Sequence, residues 1–341
     1  MIDHTRVVAC VIVVAANNTH SNTIHVMAPS DEIAALADDP QILNRLAATL
    51  TPRGVSHTAG EAVALQLASA GSPTTNMPRA GLHIGYTAVA PLTTAALFRY
   101  VRDTCGELVA LLGCEAATRA HAVGTGDTDQ QGPQRDPDVR ITIYDEIRHA
   151  PADLRAMIVR AIMSDAVAVV TDTQYRQEAP TGVIAVGQSL AAADPDPFDA
   201  RIAACLDCVV SLERSRTPAD DASSTDEPAA SDSAPLPAAL RDEYLEAVWA
   251  TTPTVTTAAR ERWEGYKTTA QGSAESPTWK PVGSLNPTET VPKLAASLAR
   301  LELAETVTTE HTTTAIEWFE SVSAHPAATE SCGDELSSAH R

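Results

Sequence analysis

Two patterns of apolar residues alternate along the first two thirds of the chain. Short runs rich in Val, Ile and Ala are bounded by polar or Gly/Pro positions, as in VRITIYDE, and such runs are typical of buried strands. They predict strands within residues 6–27, 80–91, 139–146, 166–175 and 181–188, and a helix end followed by a strand in 202–212.

Helical spacing of apolar residues defines the second pattern. Ser30 is a predicted N-cap with two acids behind it, Gly71 is predicted to close the third helix, and Pro151 suits a first helical turn. The predicted helices are 29–39, 40–52, 58–70, 92–113 and 151–163 in the first part of the chain, and about 238–250, 256–270, 287–304 and 309–322 in the last.

The order of these elements predicts an α/β domain that is followed by a helical bundle. Residues 215–237 are acidic and of low complexity, so they cannot bury enough apolar surface to order themselves, and we expect a flexible linker. The predicted organisation is a short strand segment at 1–27, a core at 28–214, the linker at 215–237, a helical lid at 238–322 and a disordered tail at 323–341.

The composition predicts a strongly acidic surface that is poor in lysine. The net charge is −20, with three lysines against 21 arginines. Such a surface stays hydrated when salt screens charges over only about 3 Å, near 1 M ionic strength, so we interpret it as adaptation to a salty cytoplasm. The alternative is an acidic protein of an ordinary cell. Acidity also argues against phosphate contacts, although it argues less strongly in a halophile, and the sequence holds no convincing basic patch.

The cysteines and the apolar runs exclude several classes of protein. Cys205 and Cys208 form one C-x-x-C without a second pair, and its apolar setting favours a strand or helix end over a metal or redox site. No run approaches the roughly 20 apolar residues of a membrane span. Residues 7–16 could form a signal-peptide core, but their β-branched content favours a strand, so we expect a cytoplasmic protein.

The stretch from residue 28 to residue 71 resembles the entry to the ATPase core of the minichromosome maintenance (MCM) replicative helicases. In that family a short acidic helix leads to DP-x-I, then to ASIAP-x-I-x-G, and then to a helix ending LLLQLFGG. The resemblance extends to about residue 322 and implies an AAA+ fold, a P-loop-type parallel sheet flanked by helices with a C-terminal helical lid. The matching positions are Asp39, Pro40, Ile42, Leu46, Pro52, Leu65, Gln66, Leu67 and Gly71.

The phosphate-binding loop of the family, GDPG-x-AKS, is replaced in this chain. Pro91 stands where a required Gly would be, and Pro lacks the N–H group that would bind phosphate. Thr94 stands at the Lys position and Ala95 at the Mg²⁺-binding Ser position, with Thr93 before them. The resemblance therefore implies a degenerate cofactor site, at which neither ATP nor Mg²⁺ is expected unless the site is active.

The acidic element of the family is retained in the run ITIYDE. The resemblance implies that Asp145 would hold Mg²⁺ and that Glu146 would activate the attacking water. The alternative is an acidic pair that satisfies free N–H groups at a helix start. Gln188 stands at the family's sensor Asn, and Val170 or Thr171 stands at the Lys of its DNA-touching hairpin. Cys205 replaces the arginine finger, and Asn286 lies near the position of the lid's sensor Arg.

Together these replacements predict an inactive MCM relative that acts by association. Its expected partners are MCM-type subunits or other replication proteins, with DNA binding doubtful and no membrane. One alternative is an ATP-binding helicase subunit, in which Asp145, Glu146 and Gln188 still work. Another is a degraded gene product without a role, against which the retained apolar periodicity argues.

Overall fold

The computed structural model describes residues 30–71, 81–89, 93–113, 138–164, 166–170, 176–180, 183–189, 198, 200–212, 234–272 and 287–323. Several expectations concern residues outside these ranges. They are the strands within 6–27, most of the acidic linker, nearly all of the tail, and Pro91 of the phosphate loop.

A five-stranded parallel sheet lies at the centre of the fold. The strands are β1 (Ile84–Ala88), β2 (Val109–Gly113), β3 (Ile141–Asp145), β4 (Ala166–Val170), β5 (Arg176–Pro180), β6 (Val183–Ser189), β7 (Cys208–Ser211), β8 (Thr254–Val255) and β9 (Thr306–Val307). The sheet has the spatial order β2-β3-β6-β1-β7. In the chain, an antiparallel pair of β4 with β5 lies between β3 and β6, and β8 pairs with β9.

Helices precede, connect and follow the strands. The predicted N-cap Ser30 is confirmed, because its hydroxyl accepts a hydrogen bond from the N–H of Ile33 at 3.4 Å. The helices are α1 (Asp31–Ala37), α2 (Ile42–Leu50), α3 (His57–Ser69), α4 (Thr93–Cys105), α5 (Ala152–Ser164), α6 (Ala200–Ala203), α7 (Ala238–Ala250), α8 (Thr257–Gly272), α9 (Pro287–Leu301) and α10 (Thr309–Ser323).

Both faces of the sheet are covered, which is why most residues of its strands are apolar. Ile143 and Ala185 face a core that they share with α3, α4 and the C-terminal helices. The alternate residues Tyr144, Ile184 and Val186 face a second core, which they share with α5 and α6. The described architecture is therefore a parallel α/β sheet between helical layers.

The helix predicted over residues 92–113 ends at Cys105, so the second half of that prediction is wrong. Gly106 has a φ of +60°, which is the left-handed conformation that commonly closes a helix. The chain then makes one 3₁₀ turn and enters β2, which pairs with β3 from Val109 onward. A short Leu/Val run fits a buried helix and a strand equally well, so periodicity alone could not separate them.

Gly71 does not close α3 in the way its position suggested. The helix ends at Ser69 with Ala70 as its C-cap, and Gly71 does not have a positive φ. A Cβ at Gly71 would lie 3.1 Å from the backbone of Trp249. A glycine therefore suits this position because α7 approaches closely.

The four predicted C-terminal helices are confirmed to within a few residues, and they share the core of α3 and the sheet. The end of the predicted linker belongs to this packing. Leu236 is buried and its N–H donates to the Thr49 hydroxyl at 2.9 Å, while Arg45 donates to the Ala234 carbonyl. Residues 234–237 are thus ordered against α2.

Two smaller expectations concern the cysteines and the membrane. Cys208 is buried in β7 and Cys205 lies in the turn after α6, both as free thiols, and burial raises the pKa of the Cys208 thiol. Within the described ranges, none of the helices combines the length and the apolar character that crossing a bilayer requires.

Candidate functional site

Three neighbouring strands bring the predicted site residues to one edge of the sheet. Strands β3, β6 and β1 are adjacent and parallel, so their carboxyl ends lie side by side. Asp145 ends β3, Gln188 lies near the end of β6, and Thr94 lies in the first turn of the helix that follows β1. Ligands of open α/β sheets bind outside the carboxyl ends of the strands.

Glu146 turns the chain at the end of β3, and its half-buried carboxylate lies against β6. Its backbone has φ 55° and ψ 55°, which is uncommon for a non-glycine residue. Oε1 accepts hydrogen bonds from the N–H of Ser189, at 3.2 Å, and from the Ser189 hydroxyl. Oε2 accepts from the Gln188 amide at 3.1 Å. Both carboxylate oxygens are therefore bound by β6.

Gln188 is 1% exposed and connects β6 to the turn after β3. Its Oε1 accepts a hydrogen bond from the N–H of Arg148 at 2.9 Å. Its Nε2 donates to Glu146 and, at 3.2 Å, to the carbonyl of Ser189. Arg148 also places its Nε 3.9 Å from Glu146 Oε2. The oxygen and the nitrogen of the Gln188 amide thus both form hydrogen bonds within the fold.

Asp145 differs from Glu146, because its carboxyl group is partly buried and its Oδ1 has no hydrogen-bond partner among the described residues in place of water. Burial raises the pKa of this group above its ordinary value of 3.8, and the charge of Glu146 acts in the same direction. The Thr94 hydroxyl opposes the shift. Even so, Asp145 Oδ1 and Thr94 Oγ1 are buried atoms outside normal hydrogen-bond geometry with any described residue.

A glycine on β6 makes room for this arrangement. A Cβ at Gly187 would lie 2.2 Å from the Phe98 ring and 3.1 Å from Asp145 Oδ1. Phe98 comes from α4 and packs edge-on against Tyr86 of β1, with their ring centroids 5.5 Å apart. The helix can therefore pack down onto β6 beside Asp145 only because residue 187 has no side chain.

The first turn of α4 brings a threonine hydroxyl close to Asp145. This hydroxyl belongs to Thr94, which is fully buried, whereas the position that the family resemblance assigns to the Mg²⁺-binding Ser carries Ala95. Thr93 is half-buried at the start of α4, and Ala95 is buried. The structure thus brings Thr94 together with Asp145, whereas Pro91 lies outside the described residues.

The residues present fit an Mg²⁺ ion better than a triphosphate. The two unpartnered oxygens, on Thr94 and Asp145, are of the kind that Mg²⁺ prefers. No group of three or more His, Cys, Asp or Glu side chains in the described part of the chain could hold a metal, so substrate phosphates and water would have to complete the shell. The threonines at positions 93 and 94 offer a phosphate no positive charge.

Ser189 is a residue of this candidate site that the sequence did not indicate. It follows Gln188 directly and supplies two of the hydrogen bonds to Glu146. A Ser at the end of a buried strand is too common to signal such a role. Its place one residue after Gln188, at the carboxyl end of a central strand, is the signal that could have identified it.

The remaining family positions are placed as follows. Strands β4 and β5 form an antiparallel hairpin, in which Val170 pairs with Arg176, and Thr171 lies outside the described residues. Cys205 at the expected finger position donates its thiol to the carbonyl of Arg201 at 3.1 Å. Arg201, which lies in α6 four residues before Cys205, is exposed.

Comparison of the sequence with models of protein families gives no match, and comparison with curated proteins gives none either.

Proposed function

We propose that this chain is a catalytically degenerate AAA+ protein of MCM type, which acts by protein association as an accessory or regulatory relative of the replicative DNA helicase. The observation that carries the proposal is the state of Glu146. A general base must have an oxygen available to the attacking water, and three of the roughly four acceptor sites of this carboxylate already accept hydrogen bonds from Ser189 and Gln188.

The retained scaffold supports the kinship. An acidic pair ends one parallel strand, a polar amide lies near the end of the adjacent strand, and the next strand leads into a helix that starts beside the acid. A β-hairpin intervenes between the acidic strand and the amide strand. These features support the proposal, because the MCM resemblance implies elements of this kind in this order.

The lost charges support the absence of ATP hydrolysis. Phosphoryl transfer depends on cations that stabilise the charge of the transferred group, and one such contact is worth orders of magnitude in turnover. Positions 93 and 94 carry threonines, and position 205 carries a cysteine in place of the finger. The nearby Arg148 lies against Glu146, so its charge is directed at the carboxylate.

Protein association is the proposed role because the sequence lacks the features of nucleic-acid binding. A nucleic-acid backbone binds through Lys and Arg contacts, and the sequence holds three lysines and no convincing basic patch. A subunit of a ring-shaped assembly, in contrast, is held by contacts with its neighbours and needs no phosphate of its own. MCM-type subunits or other replication proteins are therefore the proposed partners.

Two measurements on the full chain at molar KCl test the proposal. Titration with Mg-ATP is expected to give no binding below about 1 mM, which corresponds to less than about 4 kcal/mol. Affinity capture is expected to retain a full-length MCM protein from the same cells. Micromolar ATP binding, or failure of purified MCM to bind the chain, would count against the proposal.

A second candidate is an ATP-binding subunit of the MCM helicase, and the pairing of Thr94 with Asp145 favours it. This pair could coordinate the Mg²⁺ of a bound nucleotide even with a weakened phosphate loop. Under this alternative, Thr94→Val would abolish a measurable Mg-ATP affinity, whereas Thr93→Val would change it less. If wild type binds no nucleotide, the alternative fails without the variants.

A further inference from the structure

A buried ion pair joins the C-terminal helices to the sheet. Lys293 of α9 is 5% exposed and Asp207 is 6% exposed, and the Lys293 ammonium group lies 2.9 Å from each carboxylate oxygen of Asp207. Lys and Asp side chains are almost never this deeply buried unless they are paired. Lys293 is one of only three lysines in the chain.

Hydrogen bonds connect Asp207 with the starts of three strands of the sheet. It stands immediately before β7, and its Oδ2 accepts a hydrogen bond at 2.8 Å from the N–H of His83, the residue before β1. His83 Nδ1 accepts from the N–H of Ile184 at the start of β6, at 3.1 Å. Thr290 of α9 donates its hydroxyl to the Asp207 carbonyl at 2.9 Å. The network lies at the amino ends of the strands, opposite the edge that carries Asp145.

Seven residues further along α9, and hence on the same face, Arg300 makes a second anchor. It is 1% exposed and donates to the carbonyls of Ala68 and Ser69 at 3.3 and 3.2 Å, in the last turn of α3. A cation is favourable there because the carbonyls at a helix end lack helical partners. We call Thr290, Lys293, Ser297 and Arg300, all buried, the polar face of α9.

We propose that the polar face of α9 is a clamp that fixes the C-terminal helices to the amino-terminal edge of the sheet in one register. Any sliding or rotation of α9 that kept its apolar residues buried would separate Lys293 from Asp207 inside the protein. An unpaired buried charge is strongly destabilising, so intermediate positions are excluded. The helices and the sheet therefore open together or not at all, and they do not hinge as a separate lid.

This proposal does not depend on the proposed function, because the clamp involves neither nucleotide nor partner. It also explains how a very acidic chain can keep its two parts together in salt. Screening weakens exposed pairs, but a buried pair is screened much less. The clamp should therefore hold equally well in dilute and in molar KCl.

The positions of the tryptophans provide the test. All four, Trp249, Trp263, Trp279 and Trp318, follow residue 237, so tryptophan fluorescence reports on the C-terminal part of the chain while circular dichroism reports on the whole. In urea, the two signals of the wild-type chain are expected to coincide, as for a single cooperative unit. Lys293→Met is expected to lower the fluorescence midpoint by about 1 M urea and to separate it from the dichroism midpoint.

Lys267→Met is the matched control, because Lys267 is a partly exposed lysine of α8 whose ammonium group lies 4.0 Å from a carboxylate oxygen of Glu264. Its midpoint is expected to stay within about 0.2 M of wild type. The shift caused by Lys293→Met should be the same in 0.2 and 2 M KCl. Separate transitions in the wild-type chain, or equal midpoints for the two lysine variants, would overturn the proposal.

Two further measurements apply if Lys293→Met does not fold. Hydrogen exchange of the wild-type chain is expected to give β7 and α9 the same opening free energy, and earlier opening of α9 would contradict the clamp. The double variant Asp207→Asn with Lys293→Met leaves no charge unpaired and is expected to recover folded protein. Failure of this variant to improve on Lys293→Met alone would show that charge does not set the register.

Discussion

Asp145 and Glu146 are consecutive carboxylates with opposite surroundings. Glu146 receives three hydrogen bonds from β6, whereas Asp145 has a buried oxygen without a partner in the described part of the chain. A buried acceptor that is left unsatisfied carries a desolvation cost. Asp145 therefore carries an uncompensated cost, whereas Glu146 is stabilised by its contacts with β6.

Asp145→Asn is expected to stabilise the protein at pH 7 by about 0.5–2 kcal/mol, the usual gain from relieving a functional site. Burial raises the pKa of Asp145, so the folded state binds a proton more readily than the unfolded state. The contribution of this carboxyl group to stability is therefore greatest below pH 3.8 and falls as the pH rises through its native pKa. Urea unfolding of both proteins from pH 4 to pH 8 measures the difference, which should grow with pH. A constant or reversed difference would contradict this reading.

Gln188→Ala is expected to cost about 2–3 kcal/mol, because it removes one of the three hydrogen bonds to the Glu146 carboxylate and the acceptor of the Arg148 N–H. Glu146→Gln removes the charge but keeps the shape of the acceptor. Because the two residues share one network, their effects should be non-additive by at least 0.5 kcal/mol in a double-mutant cycle. Urea unfolding of the four proteins tests this, and additive effects would mean that Glu146 is not held by Gln188.

The convergence of Asp145, Glu146 and Gln188 could be predicted, because the carboxyl ends of parallel strands meet at one edge. The position of the hydroxyl could not. Which residue of the first turn of α4 faces Asp145 depends on where the helix begins, and moving the start by one residue replaces Ala95 with Thr94. The role of Ser189 depends on the left-handed turn at Glu146, which no sequence pattern indicated.

At the scale of elements, the strong periodic signals predicted most helices and strands within a few residues. The failures have local causes. The prediction of one helix through residues 106–113 missed the left-handed Gly106, and the burial of Lys293 and Arg300 was missed because long cations on a helix usually reach solvent. A buried cation is identified only when its partner is known, and Asp207 is distant in the chain.

Helix α10 begins with a capping box that uses histidine in place of the usual Glu or Gln. The Thr308 hydroxyl accepts from the N–H of His311 at 3.4 Å, and His311 Nδ1 accepts from the N–H of Thr308 at 3.0 Å. His311 Nε2 lies 2.8 Å from the Glu302 carboxylate. The ring therefore joins the start of α10 to the end of α9.

His311→Ala is expected to lower the free energy of unfolding by about 1–2 kcal/mol, since it removes one half of the box and a buried contact. His311→Gln keeps an acceptor at the same position and is expected to recover about half of the loss. Thermal unfolding of the three proteins at pH 8 measures both effects. Equal stability of the Ala and Gln variants would exclude the capping role.

At the scale of the whole molecule, the predicted lid is a set of helices that shares its core with α3 and the sheet. Trp249 shows this, because its indole donates to the Leu67 carbonyl at 2.7 Å and the Arg140 guanidinium stacks 4.7 Å from the centre of its ring. The predicted division at residues 215–237 marks a change of composition, and composition gives no information on which surfaces pack.

A net charge of −20 makes stability dependent on salt. Repulsion between exposed carboxylates opposes the compact state, and salt at 1 M confines it to about 3 Å. We expect the Tm to rise by about 5 °C or more between 0.2 and 2 M KCl. A Tm that is flat or falls over this range would favour an acidic protein of an ordinary cell.

We propose that the carboxylate of Glu146 stabilises the end of β3 against β6 and does not activate water. Turnover of Mg-ATP by the purified full chain in molar KCl, compared with that of Glu146→Gln, tests it most directly. The account predicts no turnover above background for either protein, with a lower Tm for the variant because its acceptor is weaker. Hydrolysis by the wild-type chain that Glu146→Gln abolishes would contradict it.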